Sequence, residues 1–112
     1  MRVAVLVVIL TVRGDELQVL LIHRSGEPYQ GMWALPGGQL LPDESLAEAA
    51  ARKLVEETGV HDLFLEQLYT FSGLGRETAS VAVAHFALVD ERRVRLRDEP
   101  VWEPRWFAVS QL

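Results

Sequence analysis

A chain of 112 residues has room for one domain core and not for two. Hydrophobic residues make up 49% and charged residues 24%, the balance of a globular domain rather than of a disordered or fibrous one. A formal net charge of −5, with the eleven Lys and Arg spread along the chain, argues against a general nucleic-acid surface, and the lack of any cysteine excludes disulfides and cysteine-based metal sites.

The first element is the nearly continuous apolar run Val3 to Val12 behind Arg2. It faintly resembles a secretory leader, but no small-residue cleavage site follows, and Arg13-Gly14-Asp15-Glu16 reads better as a hairpin turn. Leu17 to Ile22 then pairs back, so two buried strands open the chain, and cytoplasm with no membrane partner is the default expectation. Ser25 to Gly31 is loop. Trp33-Ala34-Leu35 makes a short apolar step before Pro36-Gly37-Gly38, a breaker cluster suited to a tight bend and close approach to a ligand.

From Ser45 to Thr58 the composition turns to Ala, Leu and Glu, with Asp43 or Ser45 available as N-cap and Gly59 placed to stop a helix. At about 100° per residue, Leu46, Ala47, Ala50, Ala51, Leu54 and Val55 share one broad side, expected to be buried. Glu48, Arg52 and Glu56 repeat on the opposite side, Glu57 returns to the rim of the apolar side, and Lys53 projects between the two glutamates. Adjacent acids at a helix C-terminus are opposed by the macrodipole and by each other unless a cation sits nearby. Leu63 to Phe71 and Ser80 to Val89 read as strands around the polar loop Ser72 to Thr78. The charged stretch Asp90 to Glu99 follows, then a last strand, Trp102 to Val109. This order predicts an α/β or α+β layer protein.

The helix belongs to a longer pattern. Gly38 is followed six residues on by Glu44, and after seven more residues by Arg52-Lys53-Leu54-Val55-Glu56-Glu57-Thr58-Gly59-Val60. This closely resembles the Nudix box, matching all its fixed positions but one: Lys53 stands where that family carries a glutamate. Trp33 to Gly38 looks like the segment that precedes the family's helix, and Glu103-Pro104-Arg105-Trp106-Phe107 looks like its late strand. The resemblance implies a single domain over residues 1–112, an α/β/α sandwich with a central mixed sheet. Family members usually continue past this point into another helix that covers the sheet, so either the sequence is trimmed after Leu112 or a partner surface covers that face, and a homodimer is the expectation.

The resemblance further implies hydrolysis of a nucleoside diphosphate linked to another group, with Mg2+ or Mn2+ as cofactor, a small molecule as partner and no nucleic acid. Hard carboxylate oxygens suit such cations. Glu56, Glu57 and the backbone at Gly38 are the first choices for the metal, with a further acid from Glu99 or Glu103. Gly37 and Gly38, with Arg24 and Arg76, are candidates for phosphate, although lone loop arginines are mostly solvated. Arg52 would orient Glu56, and Glu44 would brace the junction of loop and helix.

Lysine, as an ammonium, neither binds metal nor serves as general base, so Lys53 leaves three readings. Either Glu57 or the loop residue Glu77 takes the proton and the domain remains a hydrolase, the leading reading; or it binds a nucleotide such as ADP-ribose without cleavage, as a sensor; or it is an interaction module. Leu68-Tyr69-Thr70-Phe71, followed by a glycine loop, looks like the ADP-ribose hydrolase and regulator branch. His23, His61 and His85 lack metal-ligand spacing and read as surface or core histidines. Trp33, Tyr69 and Phe71 could stack on a base but read as core. Arg92, Arg93, Arg95 and Arg97 alternate with acids and read as a solvated edge.

Overall fold

The computed structural model describes residues 2–24, 31–61, 65–72, 80–96 and 102–112. Strand β1, Arg2–Arg13, and strand β2, Glu16–Arg24, form the expected antiparallel hairpin. Gly14 turns it at φ 62°, a left-handed conformation that glycine adopts without cost. Short strands β3, Trp33–Ala34, and β4, Gly37–Gln39, pair with β2 and β1 respectively. Helix α1, Leu46–Thr58, comes next, then strands β5, Glu66–Ser72, β6, Ser80–Leu88, and β7, Trp102–Ala108.

One mixed sheet of seven strands results, ordered β3-β2-β1-β6-β5, with β4 also on β1 and β7 also on β2. The β1–β6 pairing is parallel, with Val5 opposite Val83 and Val7 opposite His85, and all the others are antiparallel. The expectation of an α/β domain with a central mixed sheet is met. Among the described residues the sheet carries one α-helix, and none is long and apolar enough to cross a membrane.

Alternation along β1 sends Val5, Val7 and Ile9 to the helix side, where they meet Leu20 and Ile22 of β2 and Ala87 of β6. From α1, Ala49, Ala50 and Leu54 complete this core. The expected helix face is corrected in part. Ala47 and Ala51 are exposed and Val55 is half-buried, whereas Lys53 and Glu57 are buried. Alanine is the reason: one methyl group contributes too little apolar area to orient a helix, so Leu54 and the close approach of Ala49 and Ala50 set the rotation.

Both helix ends are held by local chemistry. Of the two candidate N-caps the structure uses Ser45: its Oγ accepts from Glu48 N at 3.0 Å, and its own N–H donates to Glu48 Oε1 at 2.8 Å, a reciprocal capping box. Asp43 instead takes a left-handed turn at φ 65°. Gly59 ends the helix at φ 73°, its N–H donating to Val55 O. Ser45→Ala is therefore expected to destabilise the fold by about 1 kcal/mol, read as a lower urea midpoint at unchanged slope.

Candidate functional site

Strand β4 and helix α1 bring the motif residues together. Glu44, just ahead of the helix, accepts a hydrogen bond from Leu41 N at 3.1 Å and receives the Arg52 guanidinium at both oxygens, 2.7 Å from Nε and 3.1 Å from Nη2. Arg52 also donates from Nη1 to Glu56 Oε1 at 3.2 Å and from Nη2 to Gln39 O at 3.3 Å. One planar guanidinium thus links the loop acid, strand β4 and the next turn of its own helix. Gln39 enters only through its backbone carbonyl, which no side-chain motif announces.

Lys53 is the unexpected element. The residue is 8% exposed, and its Nζ donates to Glu56 Oε2 at 3.3 Å and lies 3.8 Å from Glu57 Oε1. Glu57 is fully buried. The lysine stem runs over Gly38, where an added Cβ would sit 3.6 Å from Cδ and 3.7 Å from both Cε and Nζ. The groups that the sequence nominates for a metal, Gly38, Glu56 and Glu57, therefore converge on an ammonium. Among the described residues no group of three or more Asp, Glu or His is placed to hold a metal ion. A divalent cation does not fit this arrangement, since hard cations demand several oxygen ligands and would face a fixed positive charge.

The charges tune one another. Arg52 holds the Glu44 carboxyl below its usual range, against a smaller opposing effect of burial. For Glu56, burial pushes upward but is outweighed by the charge and hydrogen bond of Lys53 and by Arg52, so the net shift is downward. Arg52 is in turn raised, first by its hydrogen bond to Glu44. Carboxylates lowered in the folded state add stability that is present above their unfolded pKa, about 4.3, and is lost as the pH falls through their lower folded values. Acid titration of unfolding is expected to show this loss below about pH 4, and Glu44→Gln to flatten it.

Gly37 and Gly38 lie in strand β4, paired with β1. An added Cβ at Gly37 would come within 2.6 Å of Val5 O and 2.7 Å of Leu6 Cδ2, so strand packing explains this glycine. Glu103, on β7, ion-pairs with Arg105 and lies 3.7 Å from His23 Nδ1, and these partners are remote in sequence from α1. Arg76, Glu77 and Glu99 fall outside the described residues, as do the side chains of Arg24, Tyr69 and Phe71. Trp33 is 42% exposed rather than core, with its ring 4.7 Å from that of His23 and 4.9 Å from that of Phe107. A two-residue strand at the sheet edge cannot cover so large a side chain. His85 is a buried core histidine with its pKa lowered by burial, while His61 is exposed.

A family model described as NUDIX domain matches residues 1–112. The "ADPR responsive transcriptional repressor NtrR" of Acinetobacter baylyi is 36% identical over 107 residues, which cover 92% of this chain and 43% of the repressor. The "ADP-ribose pyrophosphatase" of Methanocaldococcus jannaschii is 32% identical over 73 residues, covering 65% of this chain and 43% of that protein. The chain thus spans less than half the length of either relative. Among solved structures, the NUDIX domain of Shewanella oneidensis NrtR complexed with ADP ribose superposes with a TM-score of 0.78 at 34% identity, over 97% of this chain and 73% of that one. A second structure of that protein, complexed with a 27mer DNA, gives 0.80 at 34% identity, over 97% and 52%.

These relatives overturn the expectation that excluded nucleic acid as a partner. One is named as a transcriptional repressor and another is solved on DNA. The physical reason is one of scope: the net charge of a domain bounds what its own surface attracts, not what a protein built with such a domain binds.

Proposed function

Because the chain belongs to the NUDIX domain family, we propose that it binds an ADP-ribose-type nucleoside diphosphate and reads the ligand out rather than consuming it. Hydrolases of the family generally use a divalent cation such as Mg2+ or Mn2+. The observation that carries the reading is Lys53, buried with Nζ 3.3 Å from Glu56 and 3.8 Å from Glu57. An ammonium in that place accepts no proton from water and ligates no metal, so it removes both services that a family glutamate supplies.

In this reading the glutamates keep a structural task. Arg52 joins Glu44 to Glu56 and fixes the helix against the turn after β4, and Glu56 and Glu57 hold Lys53 in place. The likeness to a repressor extends the proposal to ligand-controlled action on nucleic acid. Titrating ADP-ribose into the chain by calorimetry tests it: saturable binding is expected, with weaker binding of other nucleotide sugars, and no saturation with any of them would end this reading.

The second reading is hydrolysis, for which the intact Glu44-Arg52-Glu56 network and the likeness to an ADP-ribose pyrophosphatase speak. It requires a proton acceptor outside the Lys53 group, and Glu77 is the candidate. Glu77→Gln would then abolish turnover.

A further inference from the structure

The place between Glu56, Glu57 and Gly38 is charged and largely buried, and it is filled from within by Lys53. Three carboxylates, of Glu44, Glu56 and Glu57, meet two cations, of Arg52 and Lys53. Arg52 is committed to Glu44 and Glu56, whereas Lys53 reaches Glu56 and Glu57. A mobile ion at this spot could exchange with solvent; Lys53 cannot, being part of the helix, with its stem packed along Gly38.

We infer that Lys53 is a built-in replacement for the divalent cation, so that this domain takes no metal between Glu56 and Glu57 and holds its phosphate-bearing ligand independently of metal. A divalent ion entering here would bring two positive charges beside an ammonium that is itself only 10% exposed at its side chain, and would have to break the Lys53 contacts with both glutamates. The same ammonium lowers the negative field that the glutamates present to an incoming diphosphate, the service otherwise expected of a metal. The metal half of the inference stands on this geometry alone. The ligand half rests on the function proposed above.

Two independent readouts test it. In the first, Mn2+ alone is titrated with the full chain and free Mn2+ is followed by electron paramagnetic resonance. Wild type is expected to leave the signal unchanged over the concentrations at which Lys53→Glu takes up one ion per chain, a difference in affinity on the order of 100-fold or more, with Lys53→Met between. In the second, ADP-ribose affinity of wild type is measured by calorimetry in EDTA and in Mg2+, and a change of less than about twofold is expected. Uptake of Mn2+ by wild type as tight as by Lys53→Glu would overturn the inference, as would loss of ADP-ribose binding in EDTA. Absence of ADP-ribose binding in both buffers would end the proposed function instead, and the Mn2+ titration of wild type, which needs no variant to fold, would still decide the metal question.

Discussion

Replacing Lys53 with methionine is expected to lower the free energy of unfolding by about 3 kcal/mol at neutral pH. The substitution keeps the length and apolar stem that pack along Gly38 and removes only the ammonium. What remains is the fully buried Glu57 carboxylate with the cation 3.8 Å away deleted, and Glu56 without the Lys53 ammonium that donates to it. Taking away one member of a buried ion pair costs far more than the pair itself contributes, because the other charge stays out of water. Urea unfolding reads the effect as a fall in midpoint at unchanged slope. A change below about 1 kcal/mol would mean that the pair behaves as a solvated surface bridge, contrary to the burial described here. Added Mn2+ is expected to restore part of the loss in this variant and to do nothing for wild type, since a ligand stabilises only the state it binds.

Gly37→Ala is the second large effect, expected to cost about 3 kcal/mol. The new methyl would lie 2.6 Å from the carbonyl oxygen of Val5 and 2.7 Å from Leu6 Cδ2. Backbone oxygen cannot turn aside as a flexible side chain can, so β4 must shift off β1, and with it the Val5–Gly38 and Leu6–Gly37 pairings. That shift reaches the site, because Gly38 carries the Lys53 stem and Gln39 O accepts from Arg52. Gly38→Ala makes the contrast: its methyl would meet the lysine stem at ordinary contact distance, 3.6 Å or more, and a much smaller loss is expected. Thermal unfolding of the two variants side by side checks the difference. Equal losses would show that β4 tolerates displacement.

Much of this architecture could be read from residue order. The hairpin around Gly14, the helix from Ser45 to Gly59 and the strand after Trp102 rest on local rules: β-branched runs, a capping box, a left-handed glycine stop. The rotation of the helix could not be read so well, since its six-residue apolar side included Ala47 and Ala51, which carry little orienting area. Burial of Lys53 and Glu57 was hidden for a related reason. Hydropathy places Lys53 outside, and the approach of Gly38 to its stem is a tertiary contact; Glu57 stood only at the rim of the apolar side, and the structure buries it fully. The exposure of Trp33 likewise follows from the shortness of β3, which residue type does not reveal. Net charge misled about nucleic acid because it describes one domain's surface and not the partners of proteins that share the domain.

The acids of the motif are best understood together with the cation they surround. Glu56 and Glu57 at a helix C-terminus conflict with the macrodipole and with each other, and Lys53, one turn earlier, resolves the conflict from inside the helix. In the proposed reading, such a resolution removes the need for an external ion and, with it, the activation of water that a metal would supply. Binding without cleavage is what that reading expects of the site.

The most direct test incubates ADP-ribose with the wild-type chain in Mg2+ and follows phosphorus by nuclear magnetic resonance over many hours. Two coupled diphosphate signals that shift on binding and keep their area are the result expected here. Their replacement by the monophosphate signals of AMP and ribose 5-phosphate would contradict it.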